Sequence, residues 1–170
     1  MPDDMIADGT FWATSVAYDL IMNCESGLSA LLADELWSLV GATANPQAAG
    51  FILEMVKTIR GLGGIAVTST QGMQDLFGLE GGSYGKGILD ASRIKLVMQM
   101  EEQEARLIQD KLNLSEDEVR QITRFRRGEG LLCIGYNHVP VAFYTTPKEY
   151  EAITTSPTDL RRERRGDSDE

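Results

Sequence analysis

The spacing of apolar positions divides the chain into alternating helical and extended stretches. Residues 1–9 read as a flexible lead-in, and from Thr10 to about Met22 the positions Phe11, Val16, Tyr18, Leu20 and Ile21 follow a helical pattern. Glu25 to Gly27 is a turn, and Ser29 to Ala33 is then apolar without alternation, as expected of a parallel strand covered on both faces. Ala48, Phe51, Ile52, Met55, Val56 and Ile59 recur at intervals of three and four, predicting a helix over 47–60 that starts at Asn45-Pro46 and stops at Gly61, Gly63 and Gly64. Ile65 to Thr70 reads as a second buried strand, Met73 to Phe77 as a short helix and Ile94 to Met98 as a third strand. The glycine-rich stretch 78–87 is expected to be a mobile loop, with one helical turn at 88–91.

Glu101 to Asn113 predicts a helix with a polar face, and Ser115-Glu-Asp-Glu118 is a capping box that opens another, running to about Phe125. Leu131–Gly135 and Val139–Tyr144 form a hairpin around Tyr136-Asn137. Strands that alternate with helices imply an α/β fold with a mainly parallel sheet.

Composition narrows this picture without changing it. The 170 residues are 42% hydrophobic and 25% charged, ordinary for one soluble domain, here 10–153. From Thr154 the apolar residues run out. Arg161, Arg162, Arg164 and Arg165 precede an acidic end, so 154–170 is expected to be a disordered charged tail. A net charge of −10 argues against broad nucleic-acid binding, though a local basic groove stays open. No apolar run approaches the ~18–20 residues a membrane span needs, and the acidic start Met-Pro-Asp-Asp has no signal-peptide core. Cys24, Cys133 and the single histidine, His138, cannot make a four-ligand zinc site; buried thiols in a reducing cytosol fit better.

Asp34-Glu35, at the end of the first predicted strand, is the strongest chemical signal. An acidic pair near an apolar interior costs several kcal/mol or so unless something compensates it, and a magnesium ion carried by a nucleotide is one compensation. At the C-terminal end of a parallel strand both side chains meet the crevice where α/β proteins bind ligands. Asp34 is then placed to hold the metal through water and Glu35 to orient the attacking water. The plainer reading makes Asp34 the cap of a helix from Glu35 to Val40.

Gln71 ends the second strand and either faces the same crevice, as a phosphate sensor, or merely terminates the strand. Arg60 either favours its helix C-terminus through the dipole or reaches a neighbouring subunit's nucleotide as an arginine finger. Gly81-Gly-Ser-Tyr-Gly-Lys86-Gly87 is not a P-loop: Glu80 and Gly87 stand where Gly and Ser or Thr are required, and no strand feeds it. His138 is read as structural, and Trp12 and Trp37 as core or interface aromatics.

Five segments taken in order carry a resemblance: Leu32-Ala-Asp-Glu-Leu-Trp-Ser-Leu39, Lys57-Thr-Ile-Arg-Gly-Leu-Gly-Gly64, Thr68-Ser-Thr-Gln-Gly-Met-Gln-Asp75, Leu114-Ser-Glu-Asp-Glu118 and Gly128-Glu-Gly-Leu-Leu132. Over Phe11 to Ser156 the chain resembles the C-terminal part of the VirB/TraC-type conjugation and type IV secretion ATPases, in the HerA–FtsK branch of RecA-like P-loop ATPases. The resemblance implies a Walker B role for Asp34 (magnesium through water) and Glu35 (water activation). It implies a sensor role for Gln71, an in-trans role for Arg60, and a structural and at most nucleotide-proximal role for Gly128 and Gly130. It also implies ATP and Mg2+ as cofactors, a homohexamer, secretion-system partners and a place in the cytoplasm, peripheral to the membrane. The alternatives are a HerA/FtsK-like DNA-pumping ATPase and a non-catalytic docking module for a complete ATPase.

The departures are specific. Residues 1–27 hold no Gly-x-x-x-x-Gly-Lys-Thr pattern, and Gly61 follows Arg60 where the family often has Lys. The expected fold is therefore a partial RecA-like domain, with flanking helices, a C-terminal hairpin and no P-loop strand. Such a chain is expected to be inactive alone. Its strands at 65–70 and 94–98 either close on each other or keep open apolar edges.

Overall fold

A computed structural model describes residues 3–23, 29–40 and 46–153. The expected charged tail at 154–170 and Cys24 lie outside those residues. Helix α1 spans Asp3–Met22, so the segment expected to be a flexible lead-in is helical from its third residue. It packs on α3 (Pro46–Thr58), where the Tyr18 and Phe51 rings meet edge to face at 5.1 Å. Pro46 opens α3 because its fixed φ suits a first helical position and its missing N–H has no helical partner there. Ala48, Ala49, Ile52 and Met55 form the buried stripe of this helix. A 3-10 turn over Ile59–Leu62 follows, closed by Gly63 at φ 77. Gly64 must also be small: a Cβ there would lie 2.7 Å from both Ile59 and the Ser29 hydroxyl.

Strand β1 (Ala30–Ala33) pairs parallel with β2 (Ile65–Thr68), Ala30 opposite Ile65 and Ala33 opposite Thr68. A short helix α2 (Trp37–Val40) follows β1. From β2 the chain runs through α4 (Met73–Leu76), a 3-10 turn at Leu79–Gly82 and α5 (Ser83–Ala91) to β3 (Ile94–Met98). Helices α6 (Glu102–Leu112) and α7 (Glu116–Ile122) come next, then the hairpin β4 (Glu129–Ile134) and β5 (Asn137–Ala142), and finally α8 (Pro147–Ile153). β3, β4 and β5 make an antiparallel sheet in that order.

Two expectations are corrected here. Among the described residues the pairing is not mainly parallel: only β1 and β2 pair that way, and β3 is hydrogen-bonded to the hairpin and not to β2. Nor are the parallel strands covered on both faces. Ala30, Leu32, Ile65 and Val67 are exposed, while the residues between them are half-buried. Of the two expected outcomes for β2 and β3, the described residues show the one in which the two strands stay unpaired with each other.

The glycine-rich stretch is not a loop. Ser83 onward is helical, and Gly85 is buried where α5 crosses α4; a Cβ there would sit 2.3 Å from the Leu76 carbonyl oxygen. Its glycines permit close helix packing and the left-handed turn at Gly81 and Gly82 rather than mobility. The predicted capping box is present: the Ser115 hydroxyl accepts from the Glu118 N–H, and the Glu118 carboxylate accepts from the Ser115 N–H.

The core has two parts. One joins β3 and β4 to α6 and α7 through Val97, Leu131, Cys133, Ile108, Val119 and Ile122. The other is helical, built on Leu36, Val40, Ala49, Ile52, Leu76 and Ile88, and takes no residue from β1 or β2. Met73 and Phe77 pack against both. Cys133 is buried, as expected, and burial pushes its thiol up. Trp12 is 72% exposed and is no core residue; the side chain of Trp37 lies outside the description.

Candidate active site

The in-register parallel pairing sets the site. Because Ala33 lies opposite Thr68, the next residues along each strand, Asp34 and Ser69, also face each other. The ladder carries on across this end: the Ser69 N–H donates to the Ala33 carbonyl at 2.9 Å, and the Leu36 N–H donates to the Ser69 carbonyl at 2.8 Å. Two chain ends that leave the sheet are thereby tied together, and their polar side chains share one crest at its C-terminal edge.

The Ser69 hydroxyl donates to Asp34 Oδ1, and the Glu35 N–H donates to the same oxygen at 3.0 Å. These two contacts, the serine first, hold the Asp34 carboxyl below its usual range despite a small opposing effect of burial. Both fall on Oδ1, which leaves the lone pairs of Oδ2 for another partner. Gln71 Nε2 donates to Glu35 Oε1 at 2.6 Å. The structure therefore brings Asp34, Glu35 and Gln71 together.

Glu35 sits at φ 53, in the left-handed region that residues other than glycine seldom adopt. Such a backbone costs on the order of 1–3 kcal/mol and persists only where the surroundings enforce it. Here it turns the chain out of β1 and aims consecutive carboxylates at different partners, Asp34 at Ser69 and Glu35 at Gln71. The capping alternative for Asp34 does not describe this geometry, since α2 begins only at Trp37. The burial argument also changes: Asp34 is exposed and Glu35 half-buried, so the pair is not an interior charge. Beside them Thr70 Oγ1 is buried with no hydrogen-bond partner, an orphaned oxygen next to Gln71.

The other expected site residues lie elsewhere. Arg60 is exposed in the 3-10 turn that precedes the N-terminal end of β2, opposite the end that carries Gln71. Gly130 belongs to β4, and Gly128 to the turn just before it. Gly128 takes φ 83, and its carbonyl accepts from the Phe143 N–H at 2.8 Å. A Cβ at Gly130 would lie 3.0 Å from the Val97 carbonyl oxygen and from Leu96. A left-handed turn accounts for Gly128 and strand packing for Gly130.

Sequence reasoning missed Ser69 and Thr70. Equal strand lengths ahead of Asp34 and Ser69 would have flagged Ser69, but only once parallel register was assumed. His138 has a partner: its Nδ1 lies 2.7 Å from Glu118 Oε1, tying β5 to the start of α7.

Among the described residues no group of three or more acidic, histidine or cysteine side chains could hold a metal by itself. The hard oxygen donors at the crest instead match magnesium's habit of taking one or two carboxylates together with water and substrate phosphates. No helix of the described residues is long and apolar enough to cross a membrane.

No family model matches the chain, and no curated protein does. Among solved structures it is similar to VirB4 of Thermoanaerobacter pseudethanolicus, with a TM-score of 0.79 and 28% identity over 88% of this chain. The match covers 40% of that VirB4 chain, so these residues span less than half of its length. The resemblance found in the sequence segments is thus borne out over nearly all of the chain, which is VirB4-like.

Proposed function

We propose that this chain forms the metal- and water-handling half of an ATP site in a type IV secretion motor ATPase. The observation that carries the reading is the crest itself: two consecutive carboxylates at the end of a parallel strand, each engaged by a different side chain from the next strand. The VirB4 likeness supports the same reading.

Asp34, kept ionised by Ser69, would hold Mg2+ through water when MgATP is bound. The ion's part is to neutralise charge on the phosphates. Glu35 is the acceptor for the attacking water, and its hydrogen bond to Gln71 fixes where the carboxylate points. Gln71 can exchange that bond for one to a phosphate oxygen, linking nucleotide state to the position of Glu35.

Arg60 stands at the far end of β2 and cannot serve the same crest, which fits an arginine acting on a neighbouring subunit in a ring, the homohexamer that the family resemblance implies. ATP and Mg2+ are the cofactors, secretion components the partners, and the cytoplasmic side of the membrane the place. The phosphate-cradling backbone that such chemistry needs is not encoded in these 170 residues, which contain no P-loop pattern. Alone, the chain is expected to bind MgATP weakly and to turn it over at no useful rate.

The test is isothermal titration of MgATP into the chain alone and into the chain reconstituted with the remainder of a VirB4-type ATPase, alongside phosphate release. The reading expects nucleotide binding and release only in the reconstituted sample. Turnover by the chain alone that Glu35→Gln abolishes would sink the claim that this is half a site.

A further inference from the structure

Helix α4 is a single turn, too short to hold itself together, so its neighbours decide whether it forms. Among the described residues only Met73 and Phe77 pack against both buried clusters, and they stand at the two ends of this turn.

Helix α6, from the hairpin half, takes hold of the same two residues. Glu104 Oε1 accepts from the Met73 N–H at 3.4 Å, and Lys111 Nζ lies 4.3 Å from the centre of the Phe77 ring. Glu104 and Lys111 are two helical turns apart and so share one side of α6. Their charges suit the ends they meet. The first N–H groups of a helix have no partner within it and favour an acid, while the closing end favours a base. Gly72, the residue before α4, has no side chain with which to cap it.

Only Gly72 separates Met73 from Gln71. Gln71 Nε2 donates to Glu35 Oε1 at 2.6 Å, so the place of this corner decides whether the two side chains meet. The hold before the corner is incomplete. The Ser69 carbonyl takes the bond from the Leu36 N–H, but the Thr70 hydroxyl is buried without a partner. The tie after Gln71 comes from a residue 31 positions beyond Met73 in the chain.

We propose that Glu104, with Lys111 at the other end of the turn, is a positioning residue for Gln71, and that through it the hairpin half sets whether the Gln71–Glu35 hydrogen bond forms. Glu104 acts through the Met73 backbone and not on Glu35 directly. A shift of α6 against the parallel pair draws Met73 with it and moves Gln71 off Glu35. The half without a candidate catalytic residue thereby controls one in the other half. The value of that bond for hydrolysis rests on the function proposed above; the bond itself does not.

The test uses the full 170-residue chain and the side-chain amide signals of Gln71 in a nitrogen–proton NMR spectrum. Glu35→Ala removes the acceptor and marks where those signals lie once the bond is lost. Glu104→Ala is expected to carry them at least about half of the way to that position, because the signals average over bonded and released molecules. Glu104→Gln keeps an acceptor oxygen and should leave them near their parental place. Lys111→Met, at an exposed position, should move them in the same direction by less. Ile108→Val thins the buried side of α6 while keeping both ties, and should leave them still. Gln71 signals that stay in place in both Glu104→Ala and Lys111→Met overturn the proposal. So does an equal displacement in Ile108→Val, since any loosening of α6 would then suffice, and so does a Glu104→Gln spectrum that matches Glu104→Ala. The readout is a hydrogen bond and not turnover, so failure of this coupling and failure of the ATP-site reading are told apart.

Discussion

The hairpin half and the parallel-pair half of this protein are built on opposite terms. In the first, β3 and β4 supply Val97, Leu131 and Cys133 to a core closed by α6 and α7. The Ser115–Glu118 capping box and the Glu118–His138 contact tie its helix start to its outer strand. In the second, β1 and β2 contribute nothing to either buried cluster, leave an apolar face open and carry the acidic crest. The half that is complete in itself holds no candidate catalytic residue. The proposed chemistry sits on the half whose strands lie outside both buried clusters.

Core truncation should expose the contrast most strongly. Ile122→Ala, in a fully buried position of the hairpin half, is expected to cost about 2–5 kcal/mol in urea unfolding. Val67→Ala, on the bare face of the other half, should stay within about 0.5 kcal/mol. Equal costs would mean that the parallel pair is already covered.

Gly85→Ala comes next. Its new Cβ would press on the Leu76 carbonyl, so a loss of about 1–3 kcal/mol is expected, measured by thermal unfolding. A neutral result would mean that α4 and α5 are free to separate, restoring the mobile-loop picture.

Ser115→Ala is smaller, about 1 kcal/mol for a lost cap, and it depends on pH. Burial alone would raise the Glu118 carboxyl, but the Ser115 N–H and hydroxyl and the His138 ring outweigh it and hold it below its ordinary value of 4.5. A lowered carboxylate stabilises the fold above 4.5 and loses that contribution as pH falls below it. The mutant and parent stabilities should therefore converge in acid and separate again toward neutral pH.

The smallest effect is at the crest. Ser69→Ala should lower the unfolding midpoint only slightly at neutral pH and return the Asp34 carboxyl toward its usual value, read by carbon NMR titration of that side chain. An unchanged titration would show that Ser69 does not hold Asp34.

Local patterns were legible from sequence where their causes are local. The 3.6-residue stripe of α3, the capping box before α7 and the hairpin each follow from neighbours a few residues apart. The acidic pair and Gln71 were legible as candidates, and the structure joins Glu35 to Gln71 by a hydrogen bond. Sequence could not show that β1 and β2 lack a cover on one face, because an apolar run looks the same whether its second face is buried or waiting. Ser69 was hidden because its role depends on register between strands 35 residues apart. The stretch at 78–87 was misread because glycine serves close packing as readily as flexibility, and only the Leu76 contact decides between them.

The central claim is that Asp34 and Glu35 form half of an ATP site that another polypeptide segment completes. Its most direct test is phosphate release by the chain alone, by the reconstituted assembly and by the same assembly carrying Glu35→Gln. The account predicts no turnover by the chain alone, turnover in the assembly, and a loss of roughly 100-fold or more in the Glu35→Gln assembly. An assembly that hydrolyses ATP equally well with Glu35→Gln would contradict it.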